Sequence, residues 1–128
     1  AGSQHRAFID LKKILKKIGE IQIQGAKTLL EIPNLGGLWV VDDLCYGSGP
    51  MIDPRFIRKY VFPWYEELGS ISKKRDLLFL FHSDGNIWPI LNDLIEIGFS
   101  AIHPIDPTSM DINEVKALMH GVYPIRID

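Results

Sequence analysis

Four short apolar runs alternate with helical patterns along this chain, and that alternation limits its fold more than any bulk property does. The runs lie at 38–41, 76–81, 100–103 and 122–127. The first, Leu38-Trp39-Val40-Val41, is continuously apolar, as expected of a strand buried on both faces. Each run but the last is followed by a helical segment with its own start or stop signal. Asp53-Pro54 opens one, with aspartate to cap the free amides and proline at the first helical position. That segment extends to Lys74, and Pro63 must kink it or split it, because proline lacks an amide and clashes with the preceding turn. A second runs from Ile87 to Ile97 and stops at Gly98. Asp111-Ile112-Asn113-Glu114 resembles a capping box and opens a third, which ends before Gly121.

Strand and helix in strict alternation predict a parallel sheet joined by right-handed crossovers. An open α/β sheet satisfies this order, and so does half of an eight-stranded barrel. A complete barrel needs about 250 residues, and this chain has 128. The expectation is one α/β domain over 1–128, with an N-terminal helix in 1–34 and strand–helix units in 35–128. In that first helix, Phe8, Leu11, Ile14, Leu15, Ile18 and Ile21 recur at helical spacing, and Leu29 and Ile32 extend the stripe. The stripe is the expected core face. Lys12, Lys13, Lys16 and Lys17 are expected on the solvated side. Gly19 and Gly25 are expected to weaken or bend the helix.

Charge and composition remove several function classes. A net charge of −2 does not suit a nucleic-acid binder that works by neutralising phosphates. No apolar run approaches the ~20 residues that cross a bilayer, so no membrane partner is expected. The single cysteine, Cys45, excludes an internal disulfide and fits a reducing, cytoplasmic setting. No Gly-x-Ser-x-Gly elbow and no Gly-rich phosphate loop is present.

Polar residues gather where each strand should end. The first run leads into Asp42 and Asp43, with Tyr46 close behind. The second leads into His82, Ser83 and Asp84, the third into His103 and Asp106, and the fourth into Arg126 and Asp128. In parallel α/β architectures ligands bind at the C-terminal strand ends, where loops and helix N-termini form a crevice. Four successive strands with this pattern predict a small-molecule pocket. His82, Asp84, His103 and Asp106 also include the histidines and carboxylates of a catalytic metal site. None has tight ligand spacing, however, and no metal is expected.

These segments resemble the uroporphyrinogen decarboxylase superfamily over about 38–128. The resemblance rests on DDLCYGSGPMIDPRFIRKYVFPWY, FHSDGN, GFSAIHPIDPTSMDINEVKALMHG and the terminal RID, in that order and spacing. It implies a partial, half-barrel-like TIM (β/α) barrel with about four parallel strands alternating with helices. These correspond to the family's middle and later strands, at about half its usual length. It further implies cofactor-free removal of carboxylates from the acetate side chains of a tetrapyrrole. By that resemblance Asp43, Tyr46, His82 and Asp84 are candidate catalytic residues. Asp42, His103, Asp106, Arg126 and Asp128 are candidate substrate-binding residues. Methyltransferase members of the superfamily act on methylated compounds or corrinoid proteins, and carry His-x-Cys-Gly where this chain has His82-Ser83-Asp84-Gly85. Zinc is the alternative cofactor if the chain is of that kind, with His82 as its ligand. Since a half barrel leaves open sheet edges, the resemblance implies a homo-oligomer or a fragment of a longer chain, and the second functional alternative is a catalytically silent fragment that needs a partner.

Overall fold

A computed structural model describes residues 2–119 and 123–124. Helix α1 spans Gly2–Leu29, and strand β1, Gly37–Val41, follows it. A two-stranded antiparallel ribbon comes next, β2 (Cys45–Tyr46) with β3 (Gly49–Pro50). The Asp53 carboxylate accepts from the Arg55 backbone N–H at 2.8 Å and caps α2, Pro54–Tyr60. The side-chain hydrogen bonds from Arg55, together with that N–H, hold the Asp53 carboxyl down at about 2. The helix breaks at Val61 and restarts as α3, Phe62–Lys74, with Pro63 in its first turn. There a missing amide costs nothing, so the proline divides the segment rather than bending it. Strand β4 is Leu78–His82. A single 3-10 turn then leads into α4, Leu91–Ile97, which closes on Gly98 in the left-handed conformation, φ 99°. Strand β5 is Ala101–His103, and α5 is Ile112–Leu118, capped by Asp111 through the amides of Asn113 and Glu114. Strand β6 is Tyr123–Pro124; the rest of the predicted fourth strand, 122 and 125–127, lies outside the described residues.

Strands β1, β4, β5 and β6 form one parallel sheet in that order. Each crossover therefore steps to the next position in the same direction, and right-handed crossovers then lay their helices on one face of the sheet. The chain is α/β, and the sheet is open among the described residues. On the covered face Leu38, Val40, Phe79, Phe81 and Ile102 are buried, together with Tyr65 and Leu68 of α3, Leu91 and Leu94 of α4, and Val115 of α5. Phe99 organises this core. Its ring stacks on Phe79 at 4.1 Å and meets Phe81 at 5.0 Å and Tyr65 at 6.0 Å. The opposite face is bare. Trp39, Val41 and Leu78 are 56%, 68% and 59% exposed, so β1 is buried on one face and not on the two that its sequence predicts.

Helix α1 departs furthest from its sequence pattern. Most of the predicted core stripe faces outward: Leu11, Ile14, Ile18, Ile21, Leu29 and Ile32 are exposed, Leu15 is half-buried, and Phe8, 38% exposed, packs its ring against Phe56 and Tyr60 of α2. The packed side is Gly19, Ile23 and Ala26. Gly19 lies against the Trp64 indole of α3 so closely that no side chain larger than hydrogen fits. The close approach of α1 to α3 is made at a glycine. Lys12 is half-buried on this side, its ammonium 4.2 Å from the Phe8 ring centre and 5.3 Å from that of Tyr60. The glycine expected to weaken α1 is thus its contact point.

Truncating the central ring of the core tests this packing. Phe81→Ala is expected to lower the free energy of unfolding by about 3–5 kcal/mol, measured by chemical denaturation. A loss below about 1 kcal/mol would contradict a close-packed site.

Candidate functional site

Parallel pairing places Val41 beside His82, and His82 beside His103. Side chains at paired positions share a face, so both imidazoles lie on the bare side of the sheet, at the C-terminal end of their strands. They stack 5.1 Å apart, and their Nδ1 atoms are 2.9 Å apart, within hydrogen-bond distance. The Trp39 indole stands edge-on to both, with centroids 5.8 Å from His103 and 6.4 Å from His82.

The loop after β1 supplies the acidic side of the cluster. Asp43 Oδ1 accepts from the Asp84 backbone N–H at 2.9 Å and lies 3.6 Å from His82 Nε2. Asp43, His82 and Asp84 offer ligand atoms all within 4.8 Å of one another, so these three could hold a cation. Beneath them the fully buried Ser83 ties the two loops together. Its hydroxyl accepts from the Leu44 N–H at 3.0 Å and donates to the Asp84 carbonyl at 3.2 Å. Gly85 finishes the junction at φ 80°, where a Cβ would stand 2.5 Å from the Tyr46 carbonyl oxygen. Only glycine satisfies both the left-handed turn and that approach. The Asn86 N–H then donates to the Tyr46 carbonyl at 2.9 Å, fastening the β2–β3 ribbon to the end of β4.

Of the residues singled out from sequence, Asp43, His82, Asp84 and His103 come together. Asp42 does not join them. Its carboxylate turns to the helical side and accepts from the Tyr65 hydroxyl at 2.5 Å. Burial, then the Asp42 charge and this hydrogen bond, push the Tyr65 hydroxyl far above the ordinary tyrosine range, so it stays a donor. Asp106 closes its own loop. It accepts from the Thr108 N–H, the Thr108 hydroxyl and the Ser109 hydroxyl, and the Thr108 hydroxyl leads in holding its carboxyl below the usual range. Tyr46 is 61% exposed at the rim, held by its backbone. Arg126 and Asp128 lie outside the described residues. Cys45 is buried, and desolvation pushes its thiol up to about 11, which removes it as a nucleophile. Sequence reasoning did not single out Trp39 or Tyr65 as site residues. Trp39 had a signal, being an aromatic in the strand that ends at the acidic pair.

A cavity of about 910 Å³ lies elsewhere. It opens between α3 and α4 near Asp76, Leu77 and Ser100, at the N-terminal ends of β4 and β5. No protein-family model, curated protein or solved structure matches this chain.

The Tyr65–Asp42 bond separates structural from chemical carboxylates. Tyr65→Phe is expected to cost about 1.5–3 kcal/mol of stability, the range for a hydrogen bond to a charged group. Denaturant titration measures this, and an unchanged midpoint would show that Asp42 finds another partner.

Proposed function

We propose that this chain is a partial TIM barrel of the uroporphyrinogen decarboxylase kind, removing carboxylates from tetrapyrrole acetate side chains without a cofactor. One observation carries the reading. Asp43, Asp84, His82 and His103 meet at the C-terminal ends of three sequential parallel strands, on the face that would line a barrel. Enzymes of that architecture keep their chemistry at this end. The one-directional strand order and the one-sided helical layer support the barrel. The bare face with Trp39 and Val41, and the exposed apolar stripe of α1, are surfaces that further strands would cover. They would come from a longer chain or from a second copy.

The reaction needs a proton delivered to a pyrrole ring, a place for the resulting positive charge, and an exit for carbon dioxide. The carboxylates of Asp43, held by the Asp84 N–H, and of Asp84 stabilise the cationic ring where its charge develops. The imidazoles supply the proton transfer. Tyr46 and Arg126 are further candidates for contacts with the substrate's own carboxylates.

The protein incubated anaerobically with uroporphyrinogen is expected to yield porphyrinogens with fewer carboxyl groups. His82→Ala should lower that rate by roughly 10²-fold or more. A folded protein that neither binds nor converts the tetrapyrrole would contradict the reading. Stoichiometric zinc that is lost in His82→Ala would instead mark the methyltransferase branch of the superfamily.

A further inference from the structure

We infer that His103, acting through its Nε2 atom, is the acid–base residue of this site, with Asp43 and His82 fixing its protonation pattern from behind. The inference follows from the order of the contacts. Asp43 Oδ1 faces His82 Nε2 at 3.6 Å, and His82 Nδ1 faces His103 Nδ1 at 2.9 Å. Between the two Nδ1 atoms one ring donates and the other accepts, and a neutral imidazole carries one hydrogen. If His82 donated from Nδ1, its Nε2 lone pair would point at the Asp43 carboxylate. If His103 donates, His82 keeps its hydrogen on Nε2, facing the negative charge. Coulomb attraction selects the second arrangement. His103 is then protonated on Nδ1, and its Nε2 carries the lone pair.

His103 is half-buried. Its Nδ1 is taken up by His82, and among the described residues its Nε2 has no hydrogen-bond partner. The edge of Trp39 stands beside the ring at 5.8 Å and limits how it can turn. Asp84, at the end of β4, is the second carboxylate near the pair, and its backbone N–H holds Asp43 in place. The same arrangement disfavours a cation between Asp43, His82 and Asp84, because His82 then offers a hydrogen there and not a lone pair.

The role in turnover rests on the proposed decarboxylation; the direction of the hydrogen bonds does not. In the reaction, protonated His103 gives its Nε2 hydrogen to a pyrrole ring carbon. The bond to the carboxylate breaks, carbon dioxide leaves, and the electron pair forms an exocyclic double bond that neutralises the ring. The methylene takes a proton from water, and the ring carbon returns its proton to His103. The net change is one proton consumed and one carbon dioxide released.

Long-range proton–nitrogen NMR of the imidazoles at about pH 8.5, above the ordinary histidine range, reads the arrangement in the free protein. His82 is expected in the Nε2–H form and His103 in the Nδ1–H form; His82 in the Nδ1–H form overturns the inference. His103→Gln is expected to slow decarboxylation by roughly 10²–10⁴-fold with tetrapyrrole affinity little changed. A His103→Gln rate equal to that of the unaltered protein overturns the catalytic role. Unaltered protein that shows the expected tautomers but converts no tetrapyrrole overturns the proposed function and supports the hydrogen-bond chain.

Discussion

The parallel register of β1, β4 and β5 is the constraint on which the site depends. Trp39 sits opposite Leu80 and Ala101, and Val41 opposite His82 and His103. A slip of one residue on β4 would turn Phe79 and Phe81 out of the core and bury His82 in their place. The two phenylalanines, 2% and 0% exposed, therefore hold the histidine on the bare face through nothing more than the period of a strand. The aromatic stack around Phe99 and the two-histidine contact are consequences of one alignment, read from opposite sides of the sheet.

Much of this order was legible in the sequence because it is written in local chemistry. Asp53 and Asp111 cap their helices, Gly98 ends one in a left-handed turn, and Pro63 divides a helix in two. Each of these outcomes depends on a few neighbouring residues. The alternation of runs and helices likewise gave the α/β class, and the polar strand ends gave a set of candidates that includes Asp43, His82, Asp84 and His103, without showing that these four meet while Asp42 and Asp106 do not. What escaped were choices made between distant elements. The face of α1 was set by Gly19 against Trp64, a contact between residues 45 apart in sequence that hydrophobic periodicity cannot detect. Asp42 and Asp43 are adjacent and chemically identical; the alternation of β1 carried past Val41 turns Asp42 to the helical side and leaves Asp43 at the site, but the partner that holds Asp42, Tyr65, is distant in sequence. The short β2–β3 ribbon was missed because two-residue strands carry no periodicity; Gly85 and Asn86 hold it from outside.

The site is built so that its rigidity comes from groups that do no chemistry. Buried Ser83 joins the loops after β1 and β4, and Gly85 admits the Tyr46 backbone. The reactive candidates stay half-buried or exposed above this floor. The FHSDGN segment thus combines two tasks at successive positions: Phe81, Ser83 and Gly85 are buried and structural, while His82 and Asp84 alternate with them toward the bare face. A strand that continues its alternation beyond its last pairing delivers chemistry in this way without disturbing its packing.

The central claim is that Asp43 governs His103, a residue it does not touch, through His82. The most direct measurement is the imidazole nitrogen spectrum of His103 in an Asp43→Asn variant. Removing the charge removes the preference for a hydrogen on His82 Nε2, so the Nδ1–H form of His103 is expected to give way to a mixture of both neutral forms. A His103 spectrum unchanged by the substitution would contradict the claim.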